Sequence, residues 1–177
     1  MIRLGYDGKR AFFNNTGLGN YSRDTIRVVS KNYKENKYYI YVSKKINNKR
    51  LDFIKSNKNI YVKTPENYFY KSFDFLWRSK KMVNDLLNDK IDVFHGLSNE
   101  IPYGIESTEI KTIVTIHDLI FIRYPNLFNA LDRYIYLKKF KSACKRANKI
   151  IAVSQQTKQD IINFFNISEE KITVIYQ

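Results

Sequence analysis

Short runs dense in Ile, Val and Tyr alternate along the chain with longer stretches in which apolar residues recur every three or four positions. The runs Ile2–Tyr6, Tyr38–Val42, Asn59–Val62, Asp92–Phe94, Thr112–Ile116, Ile150–Val153 and Ile172–Ile175 have the length of strands and are mostly apolar, without the alternation of a half-solvated sheet. The stretches Gly19–Asn32, Arg50–Ser56, Phe73–Asn88, Leu131–Asn148 and Ser154–Phe165 carry the helical period. Strands that are apolar on both faces need helices on both sides. The pattern therefore predicts the α/β class: a doubly wound, mainly parallel sheet of about seven strands. Ser154 is placed to cap the last helix, and Ser168 with Glu170 begins a turn into the last strand.

Composition fits one domain over residues 1–177. An apolar share of 44% with 27% charged residues supports a core and excludes disorder, collagen and coiled coil. The single Cys144 excludes a disulfide framework; four residues after Phe140, it reads as core packing on a helix. No apolar run approaches the ~20 residues that span a bilayer. The opening MIRLGYDGKR lacks the basic and apolar regions of a signal peptide, so a cytoplasmic protein is expected. The chain stops at Gln177, directly after a buried strand, which suggests that a second domain is missing. With 31 Lys and Arg against 17 Asp and Glu, the net charge of +14 favours nucleic acid, anionic lipid or phosphorylated ligands. The abundance of Lys, Asn and Ile together makes that charge a weak discriminator.

In a parallel sheet the strands deliver their C-terminal ends to one edge, where ligands bind. The loop Asp7–Leu18, His95-Gly96, His117-Asp118 and Ser154 are predicted to open there, so both histidines of the chain lie on that edge. Thr16-Gly17-Leu18-Gly19-Asn20-Tyr21-Ser22 departs from the dinucleotide fingerprint: Ser22 replaces the third glycine, and Ser43-Lys44-Lys45 stand where a ribose-binding carboxylate belongs. A nicotinamide cofactor is therefore not expected. Gly17 and Gly19 would still let backbone N–H groups approach a phosphate or sugar, or serve only as a turn into the helix. His117 leaves a buried strand and can donate a proton or hydrogen bond, or be a satisfied edge histidine beside a capping Asp118. As a group acting in the cleft it is expected to add little to the core, whereas as a satisfied edge histidine it would matter for stability. His95 sits beside Gly96, where a packing role competes more strongly. Two histidines without a third Cys, His or carboxylate at ligand spacing make a poor zinc site, and no metal is expected.

The segment Tyr68–Val83 mixes the rings of Tyr68, Phe69, Tyr70, Phe73, Phe75 and Trp77 with Lys71, Arg78, Lys80 and Lys81. Rings with cations suit a membrane interface; they also suit single-stranded nucleic acid, but no RNA-binding pattern accompanies them. The plain alternative is a half-buried, solvated helix.

Taken in order, several segments resemble the N-terminal half of a GT-B glycosyltransferase of family 4, the retaining, mannosyltransferase-like group of bacteria. They are Gly17-Leu18-Gly19-Asn20-Tyr21, Asp92-Val93-Phe94-His95-Gly96, Thr115-Ile116-His117-Asp118-Leu119 with Tyr124-Pro125, Ile150-Ile151-Ala152-Val153-Ser154 with Thr157-Lys158 and Asp160-Ile161, and Lys171–Tyr176. The resemblance implies a Rossmann-like acceptor-side domain. A C-terminal nucleotide-sugar domain would be absent from this chain. Its reaction would move a sugar, with retention and without a metal or cofactor, from a nucleoside-diphosphate sugar to a glycan or lipid-linked acceptor. His117 would act on the transferred sugar; Gly17, Leu18, Gly19 and Asn20 would lie against the substrates, with His95 and Ser154 at the rim. The expected setting is polysaccharide assembly, possible at the inner face of the cell membrane, with no nucleic acid as partner, and the chain alone is expected to be inactive. The competing expectation is a non-catalytic Rossmann-like module that docks on anionic membrane or nucleic acid.

Overall fold

The computed structural model describes residues 1–177, apart from the side chains of Tyr68 and Ser72. β1 (Arg3–Asp7) leads through α1 (Lys9–Phe13) and α2 (Gly17–Asn32) to β2 (Lys37–Tyr41), α3 (Asp52–Lys55) and β3 (Ile60–Lys63). Next come α4 (Tyr68–Ser72), α5 (Asp74–Leu76), a π-helical turn (Trp77–Lys81), α6 (Met82–Asn88) and β4 (Val93–Gly96). The remainder is β5 (Lys111–Ile116), α7 (Ile120–Arg123), α8 (Ala130–Arg146), β6 (Lys149–Ala152), α9 (Gln155–Phe165) and β7 (Ile172–Val174).

The strands form a seven-stranded sheet in the order β3-β2-β1-β4-β5-β6-β7. The pairs β1–β2, β1–β4, β2–β3, β5–β6 and β6–β7 are parallel. The doubly wound α/β class read from the hydrophobic pattern is thus the fold of the chain. It divides into two compact units, Met1–His95 with Pro102–Lys111, and Gly96–Ile101 with Thr112–Gln177.

In the first unit, β2 is buried from Tyr38 to Tyr41, which explains a strand of mostly tyrosine that is neither alternating nor purely aliphatic. A buried phenol needs a partner. Tyr38 donates to the carbonyls of Tyr33 (2.7 Å) and Val29 (3.1 Å), and Tyr41 donates to Asp89 Oδ2 at 2.8 Å. α2 packs through Gly19, Ser22, Arg23, Ile26 and Ser30, the helical face its period predicts. In the second unit, Val114 and Ile116 of β5, Ile150 and Ala152 of β6, and Ile161 and Phe165 of α9 are fully buried. All but Ala152 are large aliphatic or aromatic side chains, whose burial contributes on the order of 1.5–3 kcal/mol apiece.

Three elements differ from the sequence reading. The loop Asp7–Leu18 contains α1, whose five residues are too few to display a period. Phe73–Asn88 is not one helix, because the π-helical turn buries Trp77 and turns the next residue, Arg78, towards the end of β1. The helix expected at Leu131–Asn148 forms as α8, but only Ala143 and Cys144 of it are buried, while Leu131, Tyr134 and Leu137 stay exposed.

Candidate functional site

In the first unit the strand order reverses at β1, with β2 on one side and β4 on the other. Connections leave such a pair in opposite directions and open a crevice at the strands' C-terminal ends. Tyr6 and His95 are register partners there, with ring centroids 5.9 Å apart. His95 is buried against Tyr6 in a packing position. Burial, with the phenols of Tyr38 and Tyr21 nearby, pushes the Tyr6 hydroxyl above its ordinary range.

Asp7 ends β1. Its carboxylate receives Arg78 Nε at 3.0 and 3.2 Å, a second bond from Arg78 Nη2, and the Lys9 backbone N–H at 3.0 Å. Burial alone would push this carboxyl up. The Arg78 charge and hydrogen bonds, with the Lys9 N–H and Lys9 charge, outweigh burial and hold it below the usual carboxylate range. Trp77 is likewise turned inwards, its indole N–H donating to Asp85 Oδ2 at 2.7 Å. These two residues therefore leave the ring-and-cation surface expected of Tyr68–Val83: Trp77 is core and Arg78 is a structural ion pair. Lys71, Lys80, Lys81, Phe69, Phe73 and Phe75 of that segment are exposed, and the Tyr68 side chain lies outside the described residues.

The glycine loop enters α2 beneath the carboxamide of Asn14. Asn14 Oδ1 accepts from Thr16 N (2.9 Å), Thr16 Oγ1 (2.8 Å) and Gly19 N (3.1 Å), so one N–H at the helix start is already held. The two glycines play different parts. A Cβ on Gly19 would lie 1.8 Å from the Asn14 carbonyl oxygen, so its absence is a packing requirement, whereas a Cβ on Gly17 would meet nothing within 4 Å. Leu18 is half-buried, and its carbonyl accepts from Ser22 Oγ at 2.7 Å. Asn20 is exposed and accepts from Arg23 Nη2 at 2.6 Å, while Arg23 Nη1 reaches the carbonyls of Ala11 (2.8 Å) and Asn14 (2.9 Å). A buried arginine thus ties the end of α1 to the first turn of α2.

In the second unit His117 follows β5 and is 9% exposed. Its Nε2 lies 2.9 Å from the Leu97 carbonyl, which only accepts, so Nε2 carries the hydrogen. In the neutral ring Nδ1 is then an acceptor, and Gln177 Nε2 donates to it at 2.9 Å. Asn99, at φ 61° in the left-handed region that Asn tolerates, accepts from the His117 backbone N–H at 3.2 Å and donates its own N–H to the Thr115 carbonyl. Asp118 accepts from Ile120 N at 3.2 Å, the capping bond its position suggests. Arg123 of α7 grips both oxygens of the buried Asp160 of α9 at 2.6–2.9 Å. Ser154 caps α9 as expected, accepting from Thr157 N at 3.0 Å. Thr157 Oγ1 donates in turn to the His117 carbonyl at 3.0 Å, so Ser154 and His117 are joined through one threonine.

The first unit thus holds Gly17, Leu18, Gly19, Asn20 and His95, and the second joins His117 to Ser154. Asp7, Arg78, Asn14, Arg23 and Asn99, which fix these positions, carry no sequence signature, and Thr157 enters the resemblance without a role; Arg78 stands 71 residues from its partner. Among the described residues no three His, Cys, Asp or Glu are grouped to hold a metal ion, and no helix is long and apolar enough to cross a membrane.

The crystal structure of a glycosyltransferase from Rickettsia africae ESF-5 matches 99% of this chain with a TM-score of 0.56 at 17% identity; the chain spans 43% of that protein's length. A mutant O-GlcNAc transferase from Thermobaculum terrenum is more distant, with a TM-score of 0.41 and 8% identity over 99% of this chain and 44% of that one. At such identity the Rickettsia structure bears on the fold alone. No curated protein sequence matches the chain. The family model described as Glycosyltransferase Family 4 matches residues 23–177, from the first turns of α2 through His95, His117 and Ser154 to the end of β7. On that match over most of its length, the chain belongs to glycosyltransferase family 4.

Proposed function

We propose that the chain is the N-terminal, acceptor-side half of a glycosyltransferase, completed by a C-terminal domain that binds the sugar nucleotide. The whole enzyme moves a sugar from a nucleoside-diphosphate sugar to a glycan or lipid-linked acceptor with retention of configuration. The family match over residues 23–177 carries this reading.

Within it, Gly17 supplies an open surface at the start of α2 for close approach of substrate, with Leu18, Gly19 and Asn20 shaping the loop. The His117 ring is oriented by the Leu97 carbonyl at Nε2, and a hydroxyl of the transferred sugar would take the place of Gln177 as donor to Nδ1, while His95 and Ser154 support the strand ends. Ser98 Oγ, between Leu97 and Asn99, is buried without a hydrogen-bond partner among the described residues, and a sugar hydroxyl would satisfy it. The strand-end carboxylates Asp7 and Asp118 are engaged with Arg78 and with Ile120 N. That favours front-face transfer guided by the leaving phosphate over attack by a carboxylate of this chain. The exposed Phe69, Phe73 and Phe75 with Lys71, Lys80 and Lys81 suit a cytoplasmic membrane face where a lipid-linked acceptor is presented.

The test is transfer by the chain together with the continuation of its reading frame, supplied with labelled UDP- and GDP-sugars, with the product anomer read by NMR. Turnover with retention is expected, and His117→Ala should lower kcat/KM on the order of 10²-fold. The chain alone, carrying Arg27→Gln and Arg50→Gln, should bind these donors no tighter than the millimolar range, about −4 kcal/mol. A stop codon directly after Gln177, or sugar transfer by the chain alone, overturns the reading.

A further inference from the structure

Two adjoining cavities of the first unit lie alongside α2. One, about 310 Å³, is lined by Asn20, Arg23, Asp24, Arg27, Arg50 and Phe53. The other, about 540 Å³, shares Arg27 and Phe53 and continues past Lys31, Lys34 and Lys58. Six cations thus face one carboxylate. Among the described residues only Arg27 has an acidic partner, Asp24, and both members of that pair are 57% exposed.

Two of the guanidinium groups are fixed by neutral groups. Arg23, 5% exposed, is held by the carbonyls of Ala11 and Asn14 and by Asn20 Oδ1. Arg50 Nη1 lies 3.1 Å from Asn15 Oδ1 and 3.3 Å from the Asn15 carbonyl. Burial, and after it the charge of Arg50, lowers the proton affinity of Arg23, so the two positive groups sense each other across the smaller cavity. Six cations offset by the single carboxylate of Asp24, which is paired with Arg27, leave a positive excess that raises the energy of the empty site, and an anion seated there lowers that cost. Planar guanidinium groups suit phosphate oxygens through paired N–H donors.

We propose that these cavities form a binding site for a ligand that carries one or more phosphate groups, with the phosphate oxygens on Arg23, Arg27 and Arg50 and an apolar or ring portion against Phe53. The site lies along α2 and does not depend on the sugar-transfer reading. The same phosphate chemistry is presented by a soluble diphosphate or by a phospholipid head group, and the experiment separates the two.

Binding of pyrophosphate is measured by titration calorimetry, and binding to phosphatidylglycerol vesicles by sedimentation. The parent chain is compared with Arg27→Gln/Arg50→Gln and with Lys138→Gln/Lys145→Gln, which removes the same charge from exposed positions of the second unit. Circular dichroism checks that each variant folds. The expected result is at least tenfold weaker binding by the groove variant with little change in the control. Loss on pyrophosphate identifies a soluble ligand, and loss on vesicles alone identifies a lipid head group. Equal weakening in both variants, unchanged binding by the groove variant, or no binding of either material by the parent overturns the proposal.

Discussion

Arg78 closes on Asp7 across 71 residues of chain, its Nε 3.0 Å from Oδ2 and 3.2 Å from Oδ1. The side chains are 12% and 14% exposed, so the pair fixes the exit of β1 from inside the protein. Removing Arg78 leaves the Asp7 carboxylate charged and buried, with, among the described residues, only the Lys9 N–H and charge beside it. Arg78→Ala should therefore cost about 3 kcal/mol in urea unfolding followed by the fluorescence of the single Trp77, with Arg78→Lys intermediate. Equal stability of Arg78→Ala and the parent would refute this role.

The same pair gives stability a pH dependence of defined sign. The Asp7 carboxyl is held below the value of about 3.9 that an unfolded aspartate has, so the unfolded chain binds its proton first as pH falls. The contribution is present above that unfolded value and is lost as pH drops through the folded one. Asp7→Asn should be less stable than the parent at neutral pH, and the gap should narrow in acid. A gap that stays constant from pH 7 to pH 3 would show that the Asp7 charge is not the stabilising feature.

The glycines of the loop should separate by stability. Gly19→Ala drives a methyl group into the Asn14 carbonyl, a backbone atom that cannot swing aside, and should cost about 3 kcal/mol. Gly17→Ala meets open space in the first turn of α2 and should raise stability by up to about 1 kcal/mol, because alanine has less freedom to lose. Thermal melts of the two variants test the contrast directly.

His117→Ala should destabilise the chain by about 1–3 kcal/mol, because the buried Leu97 carbonyl loses its donor. This departs from the sequence expectation of a rim residue without weight in the core. His117→Gln, which can still donate, should recover part of the loss. A melting temperature unchanged in His117→Ala would return His117 to the surface role.

Cys144 is fully buried, and burial pushes its thiol up to about 12. The native chain should stay unreactive towards a disulfide reagent at pH 8 while the unfolded chain reacts at once. Rapid native labelling would contradict the packing of α8.

By itself, the sequence determined the layers. Seven apolar runs became seven strands because a run buried on both faces has nowhere to lie but inside a covered sheet, and that signal needs only neighbouring residues. The positions of Gly17, Gly19, His95, His117 and Ser154 at helix starts and strand ends were legible for the same reason, as was the cap made by Ser154. Tertiary structure decided what those positions touch. Arg78 read as one more surface cation until a π-helical turn aimed it at Asp7. Gly17 and Gly19, equivalent in sequence, separated once a carbonyl was found against one of them. Asn99, Asn14 and Thr157 serve the site through hydrogen bonds to atoms distant in sequence or to backbone in loops, and neither periodicity nor spacing encodes such contacts. Hydrophobic pattern is a local property of the chain, whereas hydrogen-bond satisfaction and close approach are settled only when the elements pack.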